Sequence, residues 1–339
     1  MSGAPRIAFV TEAGPEVGWG HLSRCLALAR AAAGAGARAV FAVEGGAEVL
    51  ARIRAAGADA VPVSWRIAPE RAVEAVRAAD ADAAVVDSYH AAPELLASLR
   101  AAAGRLAVVD DMADRPLAAD LVMNGGLGAE RLPYPRAGST RYLLGPRYAP
   151  LAPEFSAGPA PRDTDRVRRV LVTLGGGRVD AALHAAVEAV DRALARAVID
   201  VAVGASSAVE PRGTTGLNAI EVHRGRPGLR DLMIEADLAV TGGGVTLLEL
   251  AATGTPAVVV EMADNQRPNV DASLRGGIAV SAGAAGDPGL GQRVERAVRL
   301  LAADAGRRRA MGERGRALVD GGGARRAVEA LVEAAVAGR

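Results

Sequence analysis

The stretch Glu12-Ala-Gly-Pro-Glu-Val-Gly-Trp-Gly-His-Leu-Ser-Arg-Cys25 separates an apolar run, residues 6–11, from an alanine- and leucine-rich run that begins at His21. The first run predicts a β-strand and the second predicts a helix, so the glycine-rich segment is a strand-to-helix loop. His21 would lie at the positive end of that helix, and Gly18 and Gly20 would let a ligand approach the backbone closely. This position suits a general base better than a packing residue.

Short apolar runs alternate with amphipathic stretches in both halves of the 339-residue chain. This alternation predicts βαβ units and two doubly wound, Rossmann-like domains facing a central cleft, with ligands at the carboxyl ends of the strands. The predicted strands are residues 6–11, 37–43, 61–64, 83–87, 106–110 and 121–124, then 170–174, 198–203, 220–223, 238–241 and 257–260. The predicted helices are residues 21–33, 47–56, 69–79 and 93–103, then 180–195, 229–235, 246–252 and 268–275.

A Pro/Gly-rich segment, residues 145–161, separates the two series and is typical of a linker. We therefore assign residues 1–150 to an N-terminal domain and residues 165–318 to a C-terminal nucleotide-binding domain. The tail is predicted to be helical from about residue 290, with a break at Gly321. The last helix, residues 319–339, could pack back on the N-terminal domain.

The composition excludes several classes of protein. Half of the residues are hydrophobic, and the net charge is +1 with no basic block, which gives no indication of nucleic-acid binding. All cations are arginine, so lysine chemistry is excluded. The single cysteine, Cys25, excludes a disulfide framework and is expected to be a small core residue. With no signal-peptide pattern and no apolar run long enough to cross a bilayer, we expect a cytoplasmic protein.

Three glycine-rich loops follow predicted strands: Gly18-Trp-Gly20, Gly175-Gly-Gly177 and Gly242-Gly-Gly244. Each places backbone N–H groups where they can face a phosphate. A dinucleotide fold is one alternative, because Gly18, Gly20 and Ser23 resemble G-x-G-x-x-G. The third glycine is missing, however, and the loop is too long for the tight turn of that fingerprint.

Polar residues near these loops leave alternatives open. Glu249 could accept hydrogen bonds from ribose hydroxyls, or it could act as a first-turn acid that forms a capping box with Thr246. Asn265 and Gln266 could contact a ligand or cap the next helix. Two acidic pairs, Asp80/Asp82 and Asp110/Asp111, could equally belong to turns, and no spacing predicts a metal site.

Several motifs resemble the UDP-2,4-diacetamido-2,4,6-trideoxy-β-L-altropyranose hydrolases of pseudaminic acid biosynthesis. The resemblance keeps the order of the motifs from about residue 6 to residue 278. The motifs are G-x-G-H-x-x-R-C-L around His21, Val85-Val-Asp-Ser-Tyr89, Val109-Asp-Asp-Met-Ala-Asp-Arg115, Leu144-Gly-Pro-Arg-Tyr148, Leu174-Gly-Gly-Gly177, residues 237–249 and Ala263-Asp-Asn-Gln266.

This resemblance implies a GT-B fold, related to the lipid II-forming N-acetylglucosaminyltransferase, in a cytoplasmic enzyme of polysaccharide biosynthesis. It implies that His21 is the base at the anomeric carbon and that Glu249 binds the ribose. No metal or other cofactor would be needed, because helix starts and backbone amides would stabilise the leaving group. The implied substrate-binding residues are Gly18, Gly20, Glu12, Tyr89, Asn265 and Gln266, and the implied nucleotide-binding residues are Gly175, Gly176, Gly243, Gly244, Thr246 and Glu249.

The chain departs from the family beside the implied sugar pocket. The family has arginine and aspartate eleven and nine residues before the histidine, whereas this chain has Val10 and Glu12. Trp19 is also bulkier than the usual residue. The expected function is release of UDP from a UDP-sugar by water that His21 activates. The alternatives are transfer of the sugar to an acceptor hydroxyl, nucleotide-sugar binding without turnover and, more distantly, a nicotinamide enzyme.

Overall fold

Seven parallel strands form the sheet of the N-terminal region in the computed structural model, which describes residues 4–14, 17–135, 138–158, 165–175, 179–205 and 207–336. Their order across the sheet is 3-2-1-4-5-6-7, so the order reverses between the first and fourth strands. The strands are β1 (Arg6–Glu12), β2 (Arg38–Glu44), β3 (Asp59–Pro62), β4 (Ala83–Asp87), β5 (Leu106–Val109), β6 (Leu121–Asn124) and β7 (Arg141–Leu144).

Helices cover both faces of this sheet because successive side chains of its strands point to opposite faces. On β1, Phe9 packs in the same core cluster as α1 and stacks on Phe41 of β2, whereas Val10 packs with Trp65 and Leu96 in the opposite cluster. The helices are α1 (Gly20–Gly34), α2 (Ala47–Ala55), α3 (Glu70–Ala78) and α4 (Pro93–Ala103).

The second sheet has six parallel strands in the order 10-9-8-11-12-13, so its reversal lies between the eighth and eleventh strands. Its strands are β8 (Arg169–Thr173), β9 (Val198–Val203), β10 (Ala219–Arg224), β11 (Leu238–Gly242), β12 (Ala257–Glu261) and β13 (Ala279–Ala284). The accompanying helices are α5 (Asp180–Ala193), α6 (Arg230–Glu235), α7 (Val245–Thr253), α8 (Arg267–Arg275), α9 (Leu290–Ala303) and α10 (Ala305–Leu318).

The chain divides into two compact units, one formed by the chain up to Pro153 together with the segment from Gly321, and the other by Glu154–Asp320. The last helix, α11 (Gly323–Val336), belongs to the first unit, where Val328 and Leu331 share a core cluster with Leu28 of α1. In the described part of the chain, no helix combines the length and apolar character that a bilayer span requires.

The sequence predicted eleven of the strands to within two residues at either end, and it missed β7 and β13. Both missed strands lie at the edge of a sheet. The sequence of β13, Ala-Val-Ser-Ala-Gly-Ala, is rich in small residues with weak strand propensity. The strand therefore depends on its pairing with β12 for its conformation. The predicted break at Gly321 is confirmed, because α10 ends at Leu318 and α11 begins at Gly323.

Candidate active site

The first polar cluster lies where the strand order of the first sheet reverses, between β1 and β4. Thr11 pairs with Asp87 in the parallel register, so the loop that follows β1 and the loop that follows β4 leave the sheet side by side. Ligands bind at such reversals in doubly wound sheets. The β1 loop leads to His21, the second residue of α1, and the β4 loop begins after Asp87.

His21 and Asp87 form a hydrogen-bonded pair in this position. The Nδ1 atom of His21 lies 2.6 Å from Oδ1 of Asp87, although the two residues are 66 positions apart in sequence. His21 is 5% exposed and Asp87 is fully buried. Since an ionised carboxylate only accepts hydrogen bonds, Nδ1 carries the proton and Nε2 has a free lone pair when the ring is neutral.

Arg24 holds this pair in place. Its Nε donates to Oδ2 of Asp87 at 2.9 Å and its Nη2 donates to Oδ1 at 2.7 Å. Its Nη1 donates to both oxygens of Asp111 at 2.8 Å. Burial alone would raise the pKa of Asp111, but the Arg24 charge and hydrogen bonds outweigh it and lower that pKa. The contacts of this one buried guanidinium with both carboxylates fix the position of the Asp87 carboxylate.

Tyr89 completes the cluster from the β4 loop. Its ring meets the His21 ring edge to face, with the centroids 4.7 Å apart, and its hydroxyl donates to Oδ2 of Asp111. The β1 loop is closed by a pair of backbone hydrogen bonds between Gly14 and Gly18, and the positive φ of Gly18, 89°, is a conformation that favours glycine. Trp19, which precedes α1, is covered by the Arg52 guanidinium at 4.0 Å from its ring centroid.

Glu12, the last residue of β1, lies beside this cluster but does not join it. It is 1% exposed, and its Oε1 accepts hydrogen bonds from the Ser88 hydroxyl at 2.9 Å and from Nδ1 of His90 at 2.8 Å. Glu12 was predicted to touch substrate. The structure shows that its buried carboxylate bonds to Ser88 and to a second histidine, His90, and the substrate contact stays a prediction.

The loops predicted to bind phosphate in the second unit lie at the reversal of the second sheet. Thr173 of β8 pairs with Thr241 of β11, which places the loop that begins near Gly175 beside Gly242-Gly-Gly244. Gly176 lies outside the described residues. No side chain caps the start of α7, whose N-terminal flanking residue is Gly244, so its first N–H groups are suited to an anion.

Gln266 maintains the conformation of this loop. Its Oε1 accepts from the backbone N–H groups of Gly243 at 2.9 Å and Met262 at 3.2 Å. A Cβ atom on Gly243 would lie 2.4 Å from a methyl group of Val270, so only glycine fits there. Asn265 and Gln266 form a short 3-10 turn before α8 and are both partly exposed. Because Oε1 of Gln266 already accepts these two hydrogen bonds, the side-chain amide nitrogen of Gln266 is the group that could make the predicted ligand contact.

Glu249 lies one turn beyond the start of α7. The helix begins at Val245, one residue before Thr246, so the capping-box alternative for Thr246 and Glu249 is wrong. Glu249 is partly exposed and makes no hydrogen bond or ion pair with any described residue. Burial, with a smaller contribution from the nearby Glu154, raises the pKa of Glu249 to about 7. A desolvated, unpaired carboxylate of this kind indicates a ligand-binding position.

One cluster in the second unit has the composition of a metal site. Asp200, Glu221 and His223 could bring three ligand atoms within 4.8 Å of one another. Arg169 already donates to Asp200 at 2.7 Å and to Glu221 at 3.2 Å, and Nε2 of His223 lies 2.7 Å from Asp200. The guanidinium therefore takes the position that a cation would need, and the cluster is an ion-pair network. Of the acidic residues named from sequence, Asp110 accepts from the N–H groups of Met112 and Ala113 in a turn, and Asp82 accepts from the N–H of Arg6 at the start of β1. Asp111 belongs to the Arg24 cluster described above.

Solved glycosyltransferase structures resemble the whole chain. The calicheamicin glycosyltransferase CalG4 has a TM-score of 0.65 at 18% identity and covers 98% of both chains. MurG from Acinetobacter baumannii has a TM-score of 0.64 at 14% identity, with 97% of this chain and 100% of that chain covered. The spinosyn rhamnosyltransferase SpnG, solved with thymidine diphosphate, has a TM-score of 0.63 at 14% identity, with 97% and 99% covered.

These similarities confirm the predicted fold class. The chain has two parallel-sheet α/β domains and the GT-B fold. No protein-family model matches the sequence, and no curated protein matches it either. At the identities above, the structural similarity establishes the fold alone.

Proposed function

We propose that this chain is an enzyme that processes nucleotide sugars, transferring the sugar from its diphosphate to a hydroxyl nucleophile. The observation that supports this most strongly is the His21–Asp87 pair at the reversal of the first sheet. Asp87 holds Nδ1, so Nε2 can take a proton from a hydroxyl as that oxygen attacks the anomeric carbon. Asp87 then stabilises the imidazolium that forms, and the product nucleotide leaves as a diphosphate.

The second unit would bind the nucleotide. The uncapped start of α7 and the Gly243–Gly244 backbone offer N–H groups to the diphosphate, which would stabilise its negative charge. Glu249 would accept hydrogen bonds from the ribose hydroxyls, which would compensate for its burial. UDP is the nucleotide that the motif resemblance suggests, and SpnG, a protein of the same fold, was solved with thymidine diphosphate. Both nucleotides belong in the test.

Two nucleophiles fit the same base. The similarity to glycosyltransferase structures favours an acceptor alcohol, whereas the motifs around His21, Asp87 and Gln266 favour water, as in the hydrolase family that they resemble. Sugar transfer is the first proposal and hydrolysis the second. A cytoplasmic location and a role in polysaccharide biosynthesis, including that of pseudaminic acid, stay proposals that depend on the sugar.

The test is release of UDP or dTDP from a panel of UDP- and dTDP-sugars, with and without candidate acceptor alcohols. Release that requires an acceptor supports transfer, and release in buffer alone supports hydrolysis. If neither diphosphate appears in any combination, while both nucleotides bind to the wild-type protein, the chain binds nucleotide sugars without turnover and the proposal is wrong.

A further inference from the structure

A second carboxylate–histidine pair joins Glu12, at the end of β1, to His90, on the loop that follows β4. Oε1 of Glu12 accepts a hydrogen bond from Nδ1 of His90 at 2.8 Å. Ser88 links the two residues, because its hydroxyl donates to Glu12 and accepts a hydrogen bond from the backbone N–H of His90 at 2.8 Å. The His90 side chain is 52% exposed, whereas Glu12 is 1% exposed. A buried carboxylate thus orients a half-exposed imidazole.

The position of this pair indicates a ligand rather than packing. Glu12 ends β1, and Ser88 directly follows Asp87 of β4, so both lie at the reversal of the sheet where ligands are expected. A half-exposed histidine contributes little to a core, and fixing its rotamer costs entropy. Burying Glu12 is also unfavourable, because its Oε2 has no hydrogen-bond partner and the nearest cation, Nε of Arg66, is 3.9 Å away.

The geometry specifies what His90 can recognise. Glu12 takes the Nδ1–H, so Nε2 is the ring nitrogen left for a ligand. This nitrogen accepts a hydrogen bond when the ring is neutral and donates one when it is protonated. A hydroxyl group can serve as the partner in both states, because it donates and accepts. His90 is therefore suited to one hydroxyl of a polyhydroxylated molecule.

We infer that His90, oriented by Glu12, binds a hydroxyl group of the donor sugar or of the acceptor and so contributes to substrate specificity. This inference rests on the proposed function, because it requires a sugar-containing substrate at the reversal of the first sheet. His90 is a binding residue in this account. Glu12 is a positioning residue, whose effect on the substrate passes through the imidazole.

The chain contains four histidines, so imidazole NMR spectra of the 15N-histidine-labelled full-length protein can be read residue by residue. The probes are UDP and dTDP alone, the UDP- and dTDP-sugars, and methyl glycosides without nucleotide. We expect a nucleotide sugar, a methyl glycoside or both to shift the Nε2 resonance of His90. The nucleotides alone should not shift it, and no probe should shift the resonances of His184, which lies on α5 of the second unit. The arm that produces the shift assigns the hydroxyl to the donor or to the acceptor.

Two substitutions separate ligand binding from structure. His90→Asn keeps a donor near Nδ1 for Glu12 but lacks the Nε2 position, whereas His90→Gln keeps a donor near Nε2 but loses the Glu12 contact. We expect His90→Asn to raise KM about 5-fold with kcat within about 2-fold, since one lost hydrogen bond is worth about 1 kcal/mol. His90→Gln should recover part of that loss, and neither variant should change the Kd for UDP.

The opposite pattern would overturn the inference: wild-type KM in His90→Asn together with a lower melting temperature in His90→Gln shows a structural role for the pair. The inference also fails if His21 resonances respond to the probes and those of His90 do not, and the proposed function then survives. If no histidine responds, no nucleotide binds and no diphosphate is released, the proposed function itself is wrong and the inference falls with it.

Discussion

The two polar sites of this chain differ in how their charges are balanced. Around His21, the Arg24 guanidinium contacts both Asp87 and Asp111, and the His21 ring nitrogen is held at 2.6 Å from Asp87. In the second unit, Glu249 is desolvated and has no partner among the described residues. The polar groups around His21 are paired with one another, whereas the second site has a carboxylate that a bound ligand could pair with.

This difference matches the two tasks in the proposed reaction. A base must be held in one tautomer and one orientation before the substrate arrives, because misplacement costs rate. A binding residue can instead retain an unfavourable charge that the ligand relieves, and part of the binding free energy then comes from that relief. Natural proteins commonly sacrifice stability at such positions. Each prediction below tests one side of this comparison.

The largest effect is expected at the base itself. His21→Ala removes the proton acceptor and should lower kcat by about 10²- to 10⁴-fold, the usual contribution of a general base. The measurement is diphosphate release under saturating nucleotide sugar. His184→Ala is the matched control and should retain wild-type rates, because His184 bonds to the Asp180 carbonyl within α5 and belongs to neither polar site. A His21→Ala variant within about 5-fold of wild type would show that the base lies elsewhere.

Asp87→Asn should have the next largest effect. The amide is nearly isosteric with the carboxylate but can present its NH2 group to Nδ1, which favours the tautomer with the proton on Nε2. We expect kcat to fall by about 10²-fold or more while the UDP affinity is unchanged, because the nucleotide would bind in the second unit. Arg24 retains Asp111, so circular dichroism should show a folded protein. An unchanged kcat would show that Asp87 is only a structural partner of Arg24 and does not orient the base.

Asp87 and Arg24 also show where sequence reasoning reached its limit. The loop, the strand and His21 could be predicted because each depends on neighbouring residues. The Asp87 contact depends on the parallel pairing of β1 with β4, which no local pattern encodes. A signal was present for Arg24: residues three apart share a helix face, so Arg24 had to project on the same side of α1 as His21. For Asp87 the signal was weaker, an acid at the carboxyl end of a wholly buried strand.

The glycine loops also combine features that local sequence predicts with features that it does not. Their position after strands follows from local sequence, and the fold class follows from the alternation of elements. The choice between a ribose-binding and a capping role for Glu249 did not follow from local sequence, because it depended on whether α7 starts at Val245 or at Leu247, directly after a Thr246 cap. Helix ends are set by φ and ψ at one or two residues, here Gly244, and such boundaries are the least predictable feature of a sequence.

Glu249→Gln tests the unpaired carboxylate of the second unit through its effect on the melting temperature. The pKa of Glu249 is about 7 in the folded protein against 4.5 for an ordinary glutamate, so the folded state binds this proton more tightly than the unfolded state. The group's stabilising contribution is therefore complete below pH 4.5 and is lost as the pH rises through 7. At about 1.4 kcal/mol per pKa unit this shift corresponds to about 3 kcal/mol, which solvent screening of the partly exposed side chain reduces to about 2 kcal/mol at pH 8. Glu249→Gln should therefore raise the melting temperature by about 4–8 °C.

The same substitution should not change the melting temperature at pH 4.5, where wild-type Glu249 is protonated in the folded state. Glu313→Gln, an exposed acid on α10, is the control and should have little effect at either pH. Saturating UDP at pH 8 should remove most of the variant's advantage in stability, because Glu249→Gln should weaken nucleotide binding by about 10-fold, or about 1.4 kcal/mol, through the loss of a charged acceptor. A variant that is less stable than wild type at pH 8 would mean that Glu249 is part of the core after all.

The smallest effect is expected at Gln266, which maintains the loop without carrying charge. Gln266→Ala removes the acceptor of the Gly243 and Met262 N–H groups and should cost about 1–2 kcal/mol of stability, with a few-fold weaker binding of UDP. Gln266→Glu keeps an accepting oxygen and should restore the melting temperature, while its charge repels the diphosphate and weakens UDP binding further. Calorimetric titration with UDP and thermal unfolding of both variants separate the two contributions. If Gln266→Glu binds UDP as well as wild type does, the diphosphate does not lie at this loop, and the comparison would then rest on Glu249 alone.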